Sequence, residues 1–207
     1  MGTLSRQQVE QLLNVAGPVK LDGTDFSRLN LEGVDFNRAS LIQSTFLSSN
    51  LREANLESVN LTRSDLTGAK LNYANLAEAT LVYAIFQEAD LECAYLGGAN
   101  LEYSKMQYAN LETACLEEAN LEYAKLWSAI LRFAKCDDAI FRSANLVSAD
   151  LLGASLQRAD LSHADLSAAI LKDADLTGAD LSNAKVSRSQ LDEAYSIYDT
   201  ALPIGIE

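Results

Sequence analysis

The chain has 207 residues, 48% of them hydrophobic and 22% charged, with 10 Gly and 2 Pro. This composition carries ample material for a buried core and excludes intrinsic disorder. A balance of 16 basic and 29 acidic residues gives a net charge of −13, which argues against DNA, RNA or an anionic membrane surface as a direct partner.

The first residues, Met1 to Gln8, lack the basic and apolar segments of a secretory leader. No stretch approaches 18 apolar residues, so no membrane span is expected and the expected location is cytoplasmic. Residues 5–16 read as a helix. Ser5 and Gln8 make a capping box, Val9, Leu12, Leu13 and Ala16 make one apolar face, and Gly17-Pro18 stops it.

From Leu21 to Leu191 every fifth residue is apolar. These 35 positions hold 27 Leu, 5 Phe, Met106, Cys136 and Val186. Two residues earlier stands Ala in most quintets, otherwise Ser or another small or apolar residue. No charge falls on any of these 70 positions, and the frame does not slip. A period of five fits neither a helix nor a plain strand. It fits a short extended segment and a corner. In Ala99-Asn100-Leu101-Glu102-Tyr103, Ala99 and Leu101 face inward, Asn100 outward, and Glu102 and Tyr103 lie on the turn.

Four walls per turn stack each residue on the one 20 further on. Positions 31, 51, 71, 91, 111, 131, 151, 171 and 191 are then all Leu. Phe26, Phe46, Phe86 and Met106 share a column, and Tyr83, Tyr103 and Tyr123 form an outward ladder. A period of 15 scatters these sets. Residues 19–195 make about 8–9 coils and a rod of roughly 42 Å at ~4.8 Å per rung. The expected organisation is a helical cap at 1–18, the coil at 19–195 and a cap or tail at 196–207, where Ile197, Tyr198, Leu202, Pro203, Ile204 and Ile206 fold over the last coil.

The repeat Ala-(Asp/Asn)-Leu-x-x, as in Ala54-Asn55-Leu56, Ala89-Asp90-Leu91, Ala149-Asp150-Leu151 and Ala179-Asp180-Leu181, resembles that of pentapeptide-repeat proteins. The resemblance implies an all-β fold, a right-handed quadrilateral parallel β-helix, and the unbroken frame looks most like bacterial, notably cyanobacterial, members. Some members, the Qnr and MfpA types, are acidic dimeric rods that bind DNA gyrase as DNA mimics, which gives the alternative function. Two features depart from them. No loop breaks the frame, and the short tail contains Pro203 instead of an apolar pairing helix.

The chemistry available is sparse. Gly-rich phosphate loops, nucleophile elbows and His-Glu-x-x-His are missing, so no catalytic, cofactor-binding or metal residues are assigned, no cofactor is expected and the chain reads as non-enzymatic. His163 falls on an outward corner, and Cys93, Cys115 and Cys136 match no zinc spacing and read as reduced structural thiols. Charge distribution is more informative. Residues 78–122 carry Lys105 against nine acids, net −8, whereas 1–77 carry net −1 and 123–207 net −4. Stacking Glu92 on Glu112 and Glu102 on Glu122 costs only about 0.8 kcal/mol per pair at ~5 Å in water. This acidic waist beside the tyrosine ladder gives the candidate protein-binding surface: Glu88, Glu92, Glu102, Glu112, Glu122, Tyr83, Tyr103 and Tyr123. A protein partner of basic character is expected, for a scaffold rod that is a monomer or weak homodimer. An apolar group, Ile130, Phe133, Leu152 and Ile170 with Trp127 and Val147 on the wall before it, is the candidate for self-association.

Overall fold

A computed structural model describes residues 4–15 and 17–206. The backbone hydrogen bonds set the architecture. Leu31 N–H donates to Asn50 O at 2.7 Å, Gly33 N–H to Arg52 O at 2.9 Å, and Asn50 N–H back to Leu29 O at 2.9 Å. Parallel bridges link one residue of each quintet to the one 20 further on, from Lys20↔Ser40 to Asp165↔Lys185. Four quintets therefore complete one turn, and four walls run the length of the ladder. Wall 1 stacks on Leu21, wall 2 on Phe26, wall 3 on Leu31 and wall 4 on Phe36.

The corner of each quintet is a four-residue turn closed by a bond such as Val34 N–H to Leu31 O, 3.1 Å. Its third residue has positive φ and its second does not, the pattern of a type II turn. Glycine supplies some of these, as at Gly33 (φ 67°), but most are ordinary residues, including Tyr83, Tyr103 and Tyr123 at φ 59°, 57° and 59°. Left-handed backbone costs an L-residue roughly 1–2 kcal/mol. The ladder bonds on either side of the corner hold it there. Thr113 is the only β-branched residue among these non-glycine positions, because branching makes that region hardest to reach.

One backbone N–H per quintet, on the second turn residue, has no ladder partner. The Asn or Asp two positions earlier accepts from it: Glu102 N–H to Asn100 Oδ1 at 3.0 Å, Glu112 N–H to Asn110 Oδ1 at 3.1 Å, Ser182 N–H to Asp180 Oδ1 at 2.8 Å. This Asx turn explains the Asp or Asn in the repeat. The accounting of main-chain donors then closes within each such quintet.

The bore is filled as the frame requires. Leu101, Met106, Leu111 and Leu116 are fully buried, as are the alanines beside them. Near the start, Phe26 stacks on Phe46 with ring centroids 4.7 Å apart, and Phe36 meets both edge-on at 6.0 and 6.2 Å. Where Ser replaces Ala inside, the hydroxyls of Ser44, Ser49 and Ser64 each find a carbonyl, as Ser64 Oγ does on Leu41 O at 2.6 Å, while the buried Ser104 hydroxyl has no partner.

The ends differ from the sequence expectation in detail. Helix α1 spans Arg6–Leu13, not 5–16, with the Ser5–Gln8 capping box present. Asn14 ends it, before Gly17 and Pro18, and Ala16 lies outside the described residues. Val9 is buried in the core cluster with Leu4 and Leu13 against it, while Leu12 is exposed. At the other end the frame slips by one residue. A second helix, α2 (Arg188–Leu191), takes the place of a wall, so Leu191 reaches the core from a helix and Val186 is only partly buried. Parallel pairing then resumes with an offset of 21 at Asp175↔Ser196 and Asp180↔Ala201, residues the frame had assigned to the tail. Side chains replace missing ladder bonds there. Gln190 Nε2 donates to Leu166 O and Ala169 O, both at 2.8 Å, and Thr200 Oγ1 to Leu176 O at 2.7 Å.

Candidate functional site

Tyr83, Tyr103 and Tyr123 occupy the third turn position of successive quintets on wall 1, where the left-handed corner aims each side chain off the rod. The rings lie nearly parallel at 4.9 Å from one to the next, with interplanar angles of 14° and 10°. They remain 47%, 39% and 45% exposed. The Arg63 guanidinium lies 5.7 Å from the Tyr83 ring centroid and closes that end of the stack by a cation–π contact. The other end meets the short Ser143 in the same column. Burial by its neighbours, then the adjoining Tyr123 and Tyr83 and the negative charge of Glu122 and Glu102, raises the Tyr103 phenol above its ordinary value.

Glu102 and Glu122 run beside this ladder on wall 1. Asn120 Nδ2 donates to Glu102 Oε1 at 2.6 Å, a contact that orients the carboxylate without neutralising it. Glu122 has Arg142 at 3.9 Å, but that guanidinium is held more closely by Asp160, at 2.6 Å. The remaining candidates are elsewhere. Glu92 and Glu112 stack on wall 3, on the opposite side of the rod, and Glu88 is an exposed corner residue of wall 2. The acidic waist is thus a band around the rod. The structure brings together Tyr83, Tyr103, Tyr123, Glu102 and Glu122, and separates Glu88, Glu92 and Glu112 from them.

One feature of this surface was not legible as a site residue. Arg63 lies outside the acidic segment, and its signal was its place in the column 63, 83, 103, 123. Arg52 makes a similar contact over Tyr73 at 5.9 Å on wall 3. The apolar group is present on walls 2 and 3, with Phe133 and Ile170 exposed and the Phe133 ring lying over Gly153. Trp127 is partly buried against Tyr108, edge-on at 4.4 Å. His163 is exposed on wall 1. Burial pushes the Cys136 thiol far above its ordinary value, and Cys115 also rises through burial. Neither is a poised nucleophile.

The pentapeptide-repeat family model matches in eight copies across residues 20–58, 60–94, 94–132, 128–162 and 159–195. The chain belongs to the pentapeptide-repeat family. Pentapeptide-repeat proteins form right-handed β-helix solenoids and are generally structural or interaction modules. Among solved structures, the chain is similar to HetL from the cyanobacterium Nostoc sp. strain PCC 7120, a pentapeptide repeat protein involved in heterocyst differentiation regulation. Identity is 29%, coverage 99% of this chain and 98% of that one, and the TM-score 0.42. It is also similar to full-length QnrB1, a plasmid-mediated fluoroquinolone resistance protein, at 17% identity, covering 90% and 93%, with a TM-score of 0.43. A thylakoid-lumen pentapeptide repeat protein from Arabidopsis thaliana is 26% identical over 58% of this chain and 76% of that one, with a TM-score of 0.33. No curated protein matches. Among the described residues no helix is long and apolar enough to cross a membrane.

Proposed function

We propose that this protein is a non-catalytic interaction rod whose wall 1 binds a protein partner of basic character. One observation carries this reading: three stacked, half-exposed tyrosines flanked by two carboxylates that no cation holds closely. Tyrosine supplies large rigid contact area at small entropic cost and is enriched where protein interfaces are buried. The filled bore supports the non-catalytic part, since its Leu, Phe and Ala side chains are packed and buried among the described residues. Helix α1 and residues 186–206 serve as caps, with Val9 on the first coil and the Gln190 amide on open carbonyls of the last. The exposed Phe133 and Ile170 support no more than weak self-association, and three free thiols agree with a reducing, cytoplasmic setting.

A surface that imitates DNA is the weaker alternative. Duplex DNA presents one charge per ~1.7 Å, whereas Glu102 and Glu122 are a full rung apart. Replacing Tyr103 and Tyr123 together by Ala tests the main reading. Capture of the partner is lost while the circular dichroism spectrum and melting midpoint change little. Equal capture by the double variant overturns it.

A further inference from the structure

The spacing of the wall 1 ladder restricts what kind of chain segment can engage all of it. Contact points repeat along the rod axis every 4.9 Å, the separation of the stacked rings, and Glu102 and Glu122 repeat with the same rung. An α-helix lying parallel to the rod presents one face at i, i+3 or i+4, and i+7, rising about 4.5–6 Å per step and about 10.5 Å over the whole interval. Two rungs of 4.9 Å fall within about 1 Å of that. An extended strand repeats its face every ~6.7 Å and is out of register by the second rung. A polyproline helix repeats every ~9.3 Å and misses the middle rung.

Charge decides which face of the helix docks. The surrounding segment, residues 78–122, carries net −8. Glu102 is held by the neutral Asn120 amide, and Glu122 shares Arg142, at 3.9 Å, with Asp160, which holds that guanidinium at 2.6 Å. The chain also displays how a cation sits on this lattice, with the Arg63 guanidinium one rung from Tyr83 and stacked on its face. At the opposite end of the stack the column continues with the short Ser143, beside Arg142, whose guanidinium Asp160 draws away at 2.6 Å.

We propose that wall 1 recognises a basic α-helix laid along the rod axis, with Arg or Lys at i, i+3 or i+4, and i+7, one cation meeting the Tyr123 face and the others Glu102 and Glu122. This rests on the reading of wall 1 as the partner-binding surface.

The test uses the full chain and three fluorescent peptides of about 18 residues with equal charge. One is an alanine-based helix with four Arg on a single stripe, the second has the same Arg spread around the helix, and the third carries them in a proline-rich extended sequence. The striped helix is expected to bind ~10-fold more tightly than either other peptide. Replacing Glu102 and Glu122 together by Gln removes that preference. So does Ser143→Arg, which sets an internal guanidinium against Tyr123; arginine already occupies the same left-handed corner at Arg28, Arg38, Arg63 and Arg158, so this variant keeps the fold. Replacing Glu92 and Glu112 by Gln removes the same charge from the opposite wall and leaves the preference intact. Equal weakening by the two glutamine pairs overturns the proposal, because general attraction to an acidic rod then explains the binding. Tighter binding of the extended peptide, sensitive to Tyr103→Ala, overturns the helix and keeps wall 1 as the surface. Binding of all three peptides that ignores Tyr103→Ala overturns both.

Discussion

The acidic waist and the C-terminal half of the rod share one bore and one backbone ladder, yet they treat charge in opposite ways. Beyond the waist, four acids are matched by cations across neighbouring coils. Arg132 meets Asp150 at 2.6 Å, Arg142 meets Asp160 at 2.6 Å, Arg158 meets Asp138 at 2.6 Å and Lys185 meets Asp165 at 2.8 Å. In the waist the equivalent contact joins Glu102 to the neutral amide of Asn120. Both Glu102–Asn120 and Arg132–Asp150 join residues 18 apart, so one geometry yields an ion pair in one region and an open carboxylate in the other. The bore supplies the stability and leaves the outer columns free to vary. Uncompensated charge on such a rod is a property of its surface, tolerated because the core carries the fold.

The sharpest way to break this comparison is to attack the core under the waist. Leu111→Asp buries an unpaired charge and is expected to abolish cooperative unfolding. Leu111→Ala should cost ~2–5 kcal/mol in a denaturant titration. Neighbouring Glu112→Gln should leave the midpoint nearly unchanged. Equal losses from Leu111→Ala and Glu112→Gln would show that the inward and outward columns are wrongly assigned.

A smaller effect separates the two regions by pH. The Arg158 hydrogen bond holds Asp138 below the ordinary carboxylate value. Burial opposes ionisation at Asp160, Asp165 and Asp175, but hydrogen bonds from Ser162 and Arg142, from Lys185 and Ser167, and from Thr177 and Gln157 outweigh it and hold these three low as well. Their contribution to stability is complete above the ordinary carboxylate range and is lost as the pH falls through the lowered folded values. Hydrogen exchange followed downward in pH should therefore show protection falling first in residues 132–185. Protection lost first in 78–122 would contradict this.

Salt gives the smallest and most local effect. Screening weakens exposed ion pairs and relieves like-charge repulsion. Raising ionic strength should slow exchange in 78–122 and leave 132–185 unchanged or slightly faster, and Arg158→Gln should remove the salt response around Asp138. A uniform response along the rod would mean that the two surfaces do not differ energetically.

Several levels of this structure were legible in the residues. The apolar fifth positions named the bore, and the matching columns at 20 named the stack and the tyrosine ladder. Other signals were present but read only for polarity. Asn and Asp before about half of the fifth-position residues marked Asx turns, and the near absence of β-branched residues at Tyr103 and its equivalents marked a left-handed corner. The one-residue slip at α2 was hidden because Leu191 still falls on the apolar frame while reaching the core from a helix.

The sequence by itself determined the period, the inward residues and the order of columns, because burial and the accounting of main-chain donors act within each quintet. Only the tertiary structure decided which carboxylates share a wall with the tyrosines, which acids meet a cation and where the ladder stops. Those contacts join residues about a coil apart, and they exist only once successive coils have stacked at the spacing of a β-ladder.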